Sequence, residues 1–143
     1  MKILGAMVLC AATMSAHAAD KQVMMPLAAA MDSGTAKAKL GDSVKFYFGD
    51  QKTPAVLTRL GSSKTSQKTN AFNKSDAEAC NWVFLSAMIQ LQKHAQQVGA
   101  NAVVNIVSNY KNNEVSSATE FECHVGNIVA GVALKGDFVK VAD

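Results

Sequence analysis

"SDAEACNWVFLSAMIQLQKHAQQVGANAVVNIVSNY", residues 75–110, changes its hydrophobic period partway along. Ser75 and Glu78 form a capping box, in which the serine oxygen accepts a backbone N–H three residues on and the glutamate reaches back. Beyond it Cys80, Val83, Phe84, Ala87, Leu91, Ala95 and Val98 recur at about 100° per residue, one stripe of a helix that Gly99 stops. From Ala100 the pattern becomes β-branched and reads as a strand to Lys111. A helix with an apolar stripe, running straight into a strand, needs a sheet to cover it. Trp82, Leu85 and Ile89 add a second apolar patch on the helix's other side, which calls for cover by the N-terminal segments or by another subunit.

Outward from this stretch the remaining elements fall into place. "MPLAAAMDSG" (25–34) reads as a short helix, with Pro26 in the tolerated first turn. "SVKFYFGD" (43–50) alternates as a strand, and "AVLTRL" (55–60) is placed as the returning arm of a hairpin. "GSSKTSQKTNAFNK" (61–74) is rich in Ser, Thr, Lys and Asn and reads as a long exposed basic loop. After the helix and its strand, "NNE" reads as a turn and "VSSATEFECHV" (115–125) as a strand. "GNIVAGVALKGDFVKV" (126–141) reads as one long glycine-bent strand or two short ones. The expected class is α+β: a mostly antiparallel sheet with one long helix packed on one face, plus a short N-terminal helix.

The chain has 143 residues and a formal net charge of +3. Lys2, the apolar run "ILGAMVLCAATM" and the small-residue pattern Ala16-His17-Ala18 make residues 1–18 a secretory signal peptide, leaving 19–143 as a single domain. Leu9 before Cys10 does not suit a lipid anchor, and no later segment is apolar enough to span a membrane. The expected location is therefore periplasmic or secreted. Basic residues gather at 45–74, where Lys45, Lys52, Arg59, Lys64, Lys68 and Lys74 face Asp50 alone. Such a bias suits an anionic surface partner, and without interleaved aromatics nucleic acid is not expected.

Two cysteines survive signal removal, Cys80 and Cys123, and an exported pair favours a disulfide. Neighbours on a strand point to opposite faces, so Cys123 joins Phe121 and Val125 while His124 joins Glu120 and Glu122. Cys80 lies on the helix's inward stripe, so both sulfurs face the helix–sheet interface, where their Cα atoms could approach to the ~4.4–6.8 Å a bridge needs. Thiol ligation of a metal and a thiol nucleophile paired with His94 are the competing readings. Separately, Glu120, Glu122 and His124, with His94 approaching, could hold a divalent cation. No cofactor is expected.

"KTNAFNKSDAEACNWVFLSAMIQLQ", "GANAVVNIVSNYK" and "SSATEFECHVGNIVAGVALKGDF" together resemble a family of small exported proteobacterial proteins that commonly carry the label "excinuclease ATPase subunit". The resemblance runs from about Val44 to Val141. ATP hydrolysis by a P-loop needs the run GxxxxGK followed by Ser or Thr, so that amides and a lysine cradle phosphate. "GSSKTSQK" lacks the second glycine and the ending, so no ATPase or excinuclease activity is expected. More distantly, the helix and "GANAVV" are similar to the YbjQ-like fold and the Rcs sensor lipoprotein that shares it. That similarity implies a non-enzymatic envelope-sensing or interaction module that can form a homo-oligomer. Its partner-binding surfaces would be Trp82, Leu85 and Ile89 together with Lys64, Lys68 and Lys74. The alternative is a periplasmic metal-binding protein using the Glu120/Glu122/His124 face.

Overall fold

The computed structural model describes residues 20–143, so the expected signal peptide at residues 1–18 lies outside the described residues. The elements run β1 (Lys21–Pro26), α1 (Leu27–Met31), α2 (Gly34–Leu40), β2 (Lys45–Phe48), β3 (Val56–Asn70), α3 (Asp76–Gln97), β4 (Ala102–Tyr110), β5 (Asn113–Val115), β6 (Glu120–Val125) and β7 (Val129–Val141). Seven strands form one sheet with the path β1-β6-β7-β4-β2; β3 pairs with β7 and β5 with β4. Every pairing is antiparallel except β2 with β4. This is the α+β class, with the long helix on one face of a mostly antiparallel sheet.

The capping box forms as its chemistry requires, with Ser75 Oγ accepting the Glu78 backbone N–H at 3.1 Å. All of the stripe but its last member is buried: Cys80, Val83, Phe84, Ala87, Leu91 and Ala95 lie in the core, whereas Val98, at the helix end, is exposed. Facing them from the sheet are Phe121 and Cys123 of β6 and Ala130, Val132, Leu134 and Phe138 of β7. The Phe84 ring stacks on that of Phe121 at 4.3 Å between centroids, and Phe48 packs beside it at 5.9 Å. The second apolar patch is covered from within the chain. Leu85 and Ile89 join the core with Leu27 and Ala30 of α1 and Ala36 and Leu40 of α2. The buried Gln92 side chain also donates to the Leu40 carbonyl, which ties α3 to the end of α2.

Three expectations are corrected. The short helix expected over 25–34 becomes strand through Pro26, then two helices. Ser33 caps the second, its Oγ accepting the Ala36 N–H at 3.1 Å. The hairpin between 43–50 and 55–60 does not form. Strand β2 instead lies parallel to β4, joined to it by the crossover of β3 and α3, as a parallel pair demands. Gln51 holds the chain away from a hairpin turn: its Oε1 accepts the Phe48 N–H and its Nε2 donates to the Ala118 carbonyl.

The third correction concerns 61–74, expected as an exposed loop. Strand β3 continues through it to Asn70, pairing with the whole of β7. Its polarity concealed the strand. Thr65, Gln67 and Thr69 are half-buried, while Lys64, Ser66 and Lys68 alternate outward and are exposed. Lysine and small polar residues are what an edge strand carries when it must stay soluble and unpaired on one side.

Strand β7 is one long strand, and Gly136 within it has a packing reason. A Cβ there would sit 2.6 Å from Val103 Cγ1 and 3.3 Å from Ile106 Cγ1. Across from it β4 carries a bulge: the register slips between Val104 and Val107, with Asn105 at φ 50°. The bulge turns both Val103 and Ile106 into the core, and the glycine makes room for them. Gly136→Ala is therefore expected to destabilise the fold by about 1–3 kcal/mol through overpacking. The check is the urea midpoint, and an unchanged midpoint would show that Val103 can retreat freely.

Candidate functional site

The adjacent Cys123 and His124 are separated by the pleat of β6. Cys123 is bonded to Cys80, with Cα atoms 5.9 Å apart and both residues fully buried. A sulfur engaged in a disulfide is neither a nucleophile nor a metal ligand, so the thiol readings close here. His124 occupies the face away from α3. Its Nε2 lies 3.1 Å from Glu122 Oε2, and Glu122 Oε1 accepts from Gln22 Nε2 at 2.6 Å. The carboxylate is 5% exposed, and that burial is tolerable because both oxygens are engaged. The His124 ring stacks on Tyr110 at 3.4 Å between centroids and 12° between planes. Gly131 of β7 pairs with His124, and the Tyr110 ring lies over it, 3.9 Å from where a Cβ would stand.

The four expected metal-site residues are scattered by this arrangement. His94 lies on the α3 side of the sheet, with Nδ1 3.0 Å from Ser63 Oγ and its ring edge-on to Phe138. Glu120, first in β6, is exposed. Only Glu122 and His124 meet, and the glutamate is committed to holding the imidazole and Gln22. Among the described residues no group of three or more His, Cys, Asp or Glu side chains is placed to hold a metal ion.

The expected partner-binding residues divide in the same way. Of the Trp82, Leu85 and Ile89 patch, Trp82 alone is exposed, at 52%; Leu85 is buried and Ile89 half-buried beneath α1 and α2. Trp82 stands on the rim of a groove of about 420 Å³ between α3 and α1–α2. Ala29, Ala30 and Leu85 give this groove an apolar floor, and Lys74 and Glu78 carry its charges. The sequence patch and the basic segment thus share one residue pair in space, Trp82 and Lys74.

Lys64 and Lys68 lie elsewhere, in a second groove of about 510 Å³ between β3 and the β4–β5 turn. Tyr110, Lys111, Asn109 and Asn112 form its other wall. These four were missed in the sequence, where "NNE" was expected as the turn; the turn is instead at Lys111 and Asn112, both left-handed at φ 51° and 62°. A lysine–asparagine pair between two alternating strands is the signal that could have found them. Lys135, on the same sheet face, is already paired: Glu114 accepts its hydrogen bond at 2.6 Å and raises its pKa above the ordinary lysine value, chiefly through that bond.

No protein-family model matches this chain, and no curated protein matches it. Among the described residues no helix is long and apolar enough to cross a membrane.

Proposed function

We propose that this chain is a non-enzymatic binding module of an exported, oxidising compartment, periplasmic or secreted, and that it works by docking on another envelope component. The observation that carries the reading is Trp82. A large amphipathic ring left 52% exposed on a groove rim, beside a lysine, has the composition of an interface anchor. The Cys80–Cys123 bridge supports the compartment, because a reducing cytosol keeps such thiols apart. The family of small exported proteins that the sequence resembles supports it too.

Burial of Leu85 and Ile89 narrows the docking face to Trp82, Lys74 and the apolar groove floor. Trp82→Ser is therefore expected to keep the fold, losing about 1 kcal/mol for the half of the ring that is covered. Native mass spectrometry of the protein released from its own compartment is the test. The unaltered chain should appear in a complex, and the Trp82→Ser chain should appear alone while still melting cooperatively, a few degrees lower. A bare subunit mass for both chains would remove the reading.

A further inference from the structure

We propose that the groove between β3 and the β4–β5 turn is a binding site for a phosphate group, with Lys64, Lys68 and Lys111 as its cationic partners. The site is independent of the Trp82 face, which belongs to the helical side of the molecule. Pairing of β3 with β7 sets Lys64 opposite Lys135 and Lys68 opposite Gly131, so both lysines stand on the sheet face that bears Tyr110. No acid lines the groove, and none of its three lysines pairs with a carboxylate among the described residues. Three ammonium groups around one cavity repel each other unless an anion sits among them. The remaining wall supplies amides and hydroxyls, from Asn109, Asn112, Tyr110 and Ser66, which can donate to the acceptor-only oxygens of a phosphate.

The backbone gives the second, separate argument. A two-residue hairpin turn with positive φ at both positions favours asparagine and glycine. Asn112 at φ 62° obeys that preference; Lys111 at φ 51° does not, since its Cβ crowds the backbone in this conformation. A strained residue persists where its side chain is used. Lys111 Nζ lies 5.6 Å from the centre of the Tyr110 ring, and that ring is held in turn by its stack on His124, which Glu122 and Gln22 fasten. Lys64 Nζ is drawn to the same turn by Asn112 Oδ1 at 3.3 Å. The Gln22–Glu122–His124 chain, built around the buried Glu122, is thereby a positioning device for the groove wall rather than a metal site.

Lys111→Gly separates this role from a structural one. Glycine relieves the left-handed strain, so the variant should melt a few degrees higher while binding is lost. Two probes distinguish the source of the phosphate: inorganic phosphate, followed by NMR shifts at Tyr110 and Lys111, and phosphatidylglycerol vesicles, followed by co-sedimentation against phosphatidylcholine. Loss of Lys64 or Lys68 to alanine should weaken binding about fivefold each, as for lysines at an anionic surface, and added salt should weaken it further. Sedimentation with anionic vesicles that Lys111→Gly abolishes supports the site and assigns a lipid headgroup. Shifts with phosphate alone that Lys111→Gly abolishes support it and assign a soluble phosphate ligand. Binding of neither probe, binding indifferent to Lys111→Gly, or a lower melting temperature in that variant overturns the proposal.

Discussion

Phe84→Ala is expected to cost about 3–5 kcal/mol of folding stability, the range for emptying a fully buried aromatic site. Phe84 is 0% exposed and sits where three elements of the fold, α3, β6 and β2, meet. Its ring stacks on Phe121 from β6 and touches Phe48 from β2, while its own helix supplies Cys80 one turn earlier. The neighbours cannot close the gap easily, because Phe121 is on a strand paired on both sides and Cys123 beyond it is covalently fixed. A urea titration should show a large fall in midpoint with little change in slope. A loss below about 1 kcal/mol would mean that the helix–sheet interface collapses into the space, contrary to this packing.

The second large effect is expected from Cys80→Ala with Cys123→Ala. The bridge spans a sequence separation of 43 residues. On the chain-entropy account, closing a loop of that length stabilises the fold by about 4 kcal/mol, through the restricted unfolded chain. Cys80 and Phe84 are one helical turn apart, and Phe121 and Cys123 are alternate residues of one strand. The disulfide and the ring stack are therefore adjacent rungs between the same two elements. The variant without Cys80 and Cys123 and the variant Phe84→Ala should accordingly fail to add: a double-mutant cycle should show coupling of about 0.5 kcal/mol or more. Mass analysis of native protein gives the direct check. Both sulfurs are buried and bonded, so neither Cys80 nor Cys123 should react with an alkylating agent before reduction. Two reactive thiols in protein taken from its own compartment would defeat the prediction, and with it the reason for placing the chain in an oxidising space.

The helix was legible because its signals are local. A capping box, a stripe at helical spacing and a stopping glycine lie within a single stretch, and none depends on what packs nearby. The disulfide followed from two local periods, since a cysteine on the helix stripe and another on the apolar side of an alternating strand must both point at the interface. Separation of Cys123 from His124 followed for the same reason. Strand β7 was legible through its apolar run despite Gly131 and Gly136.

Strand β3 was not legible. Its outward residues are lysine and serine, its inward ones threonine and glutamine, and a polar segment becomes a strand only when β7 offers its hydrogen bonds. The parallel seat of β2 was hidden because its partner β4 lies beyond an entire crossover. The groove at Tyr110 was hidden too: it joins residues of the sixties to those near 110 only because β7 lies between their strands. That Leu85 and Ile89 need cover was legible in the sequence; that α1 and α2 supply it, rather than another subunit, was not.

The order of residues alone settles the long helix, the α+β class and the inward aim of both cysteines, since each rests on a repeat that a few neighbouring residues complete. Packing alone settles which polar segment joins the sheet, which apolar patch is covered and which lysines share a cavity. Those outcomes are differences between competing long-range pairings, and no short stretch of chain contains both partners.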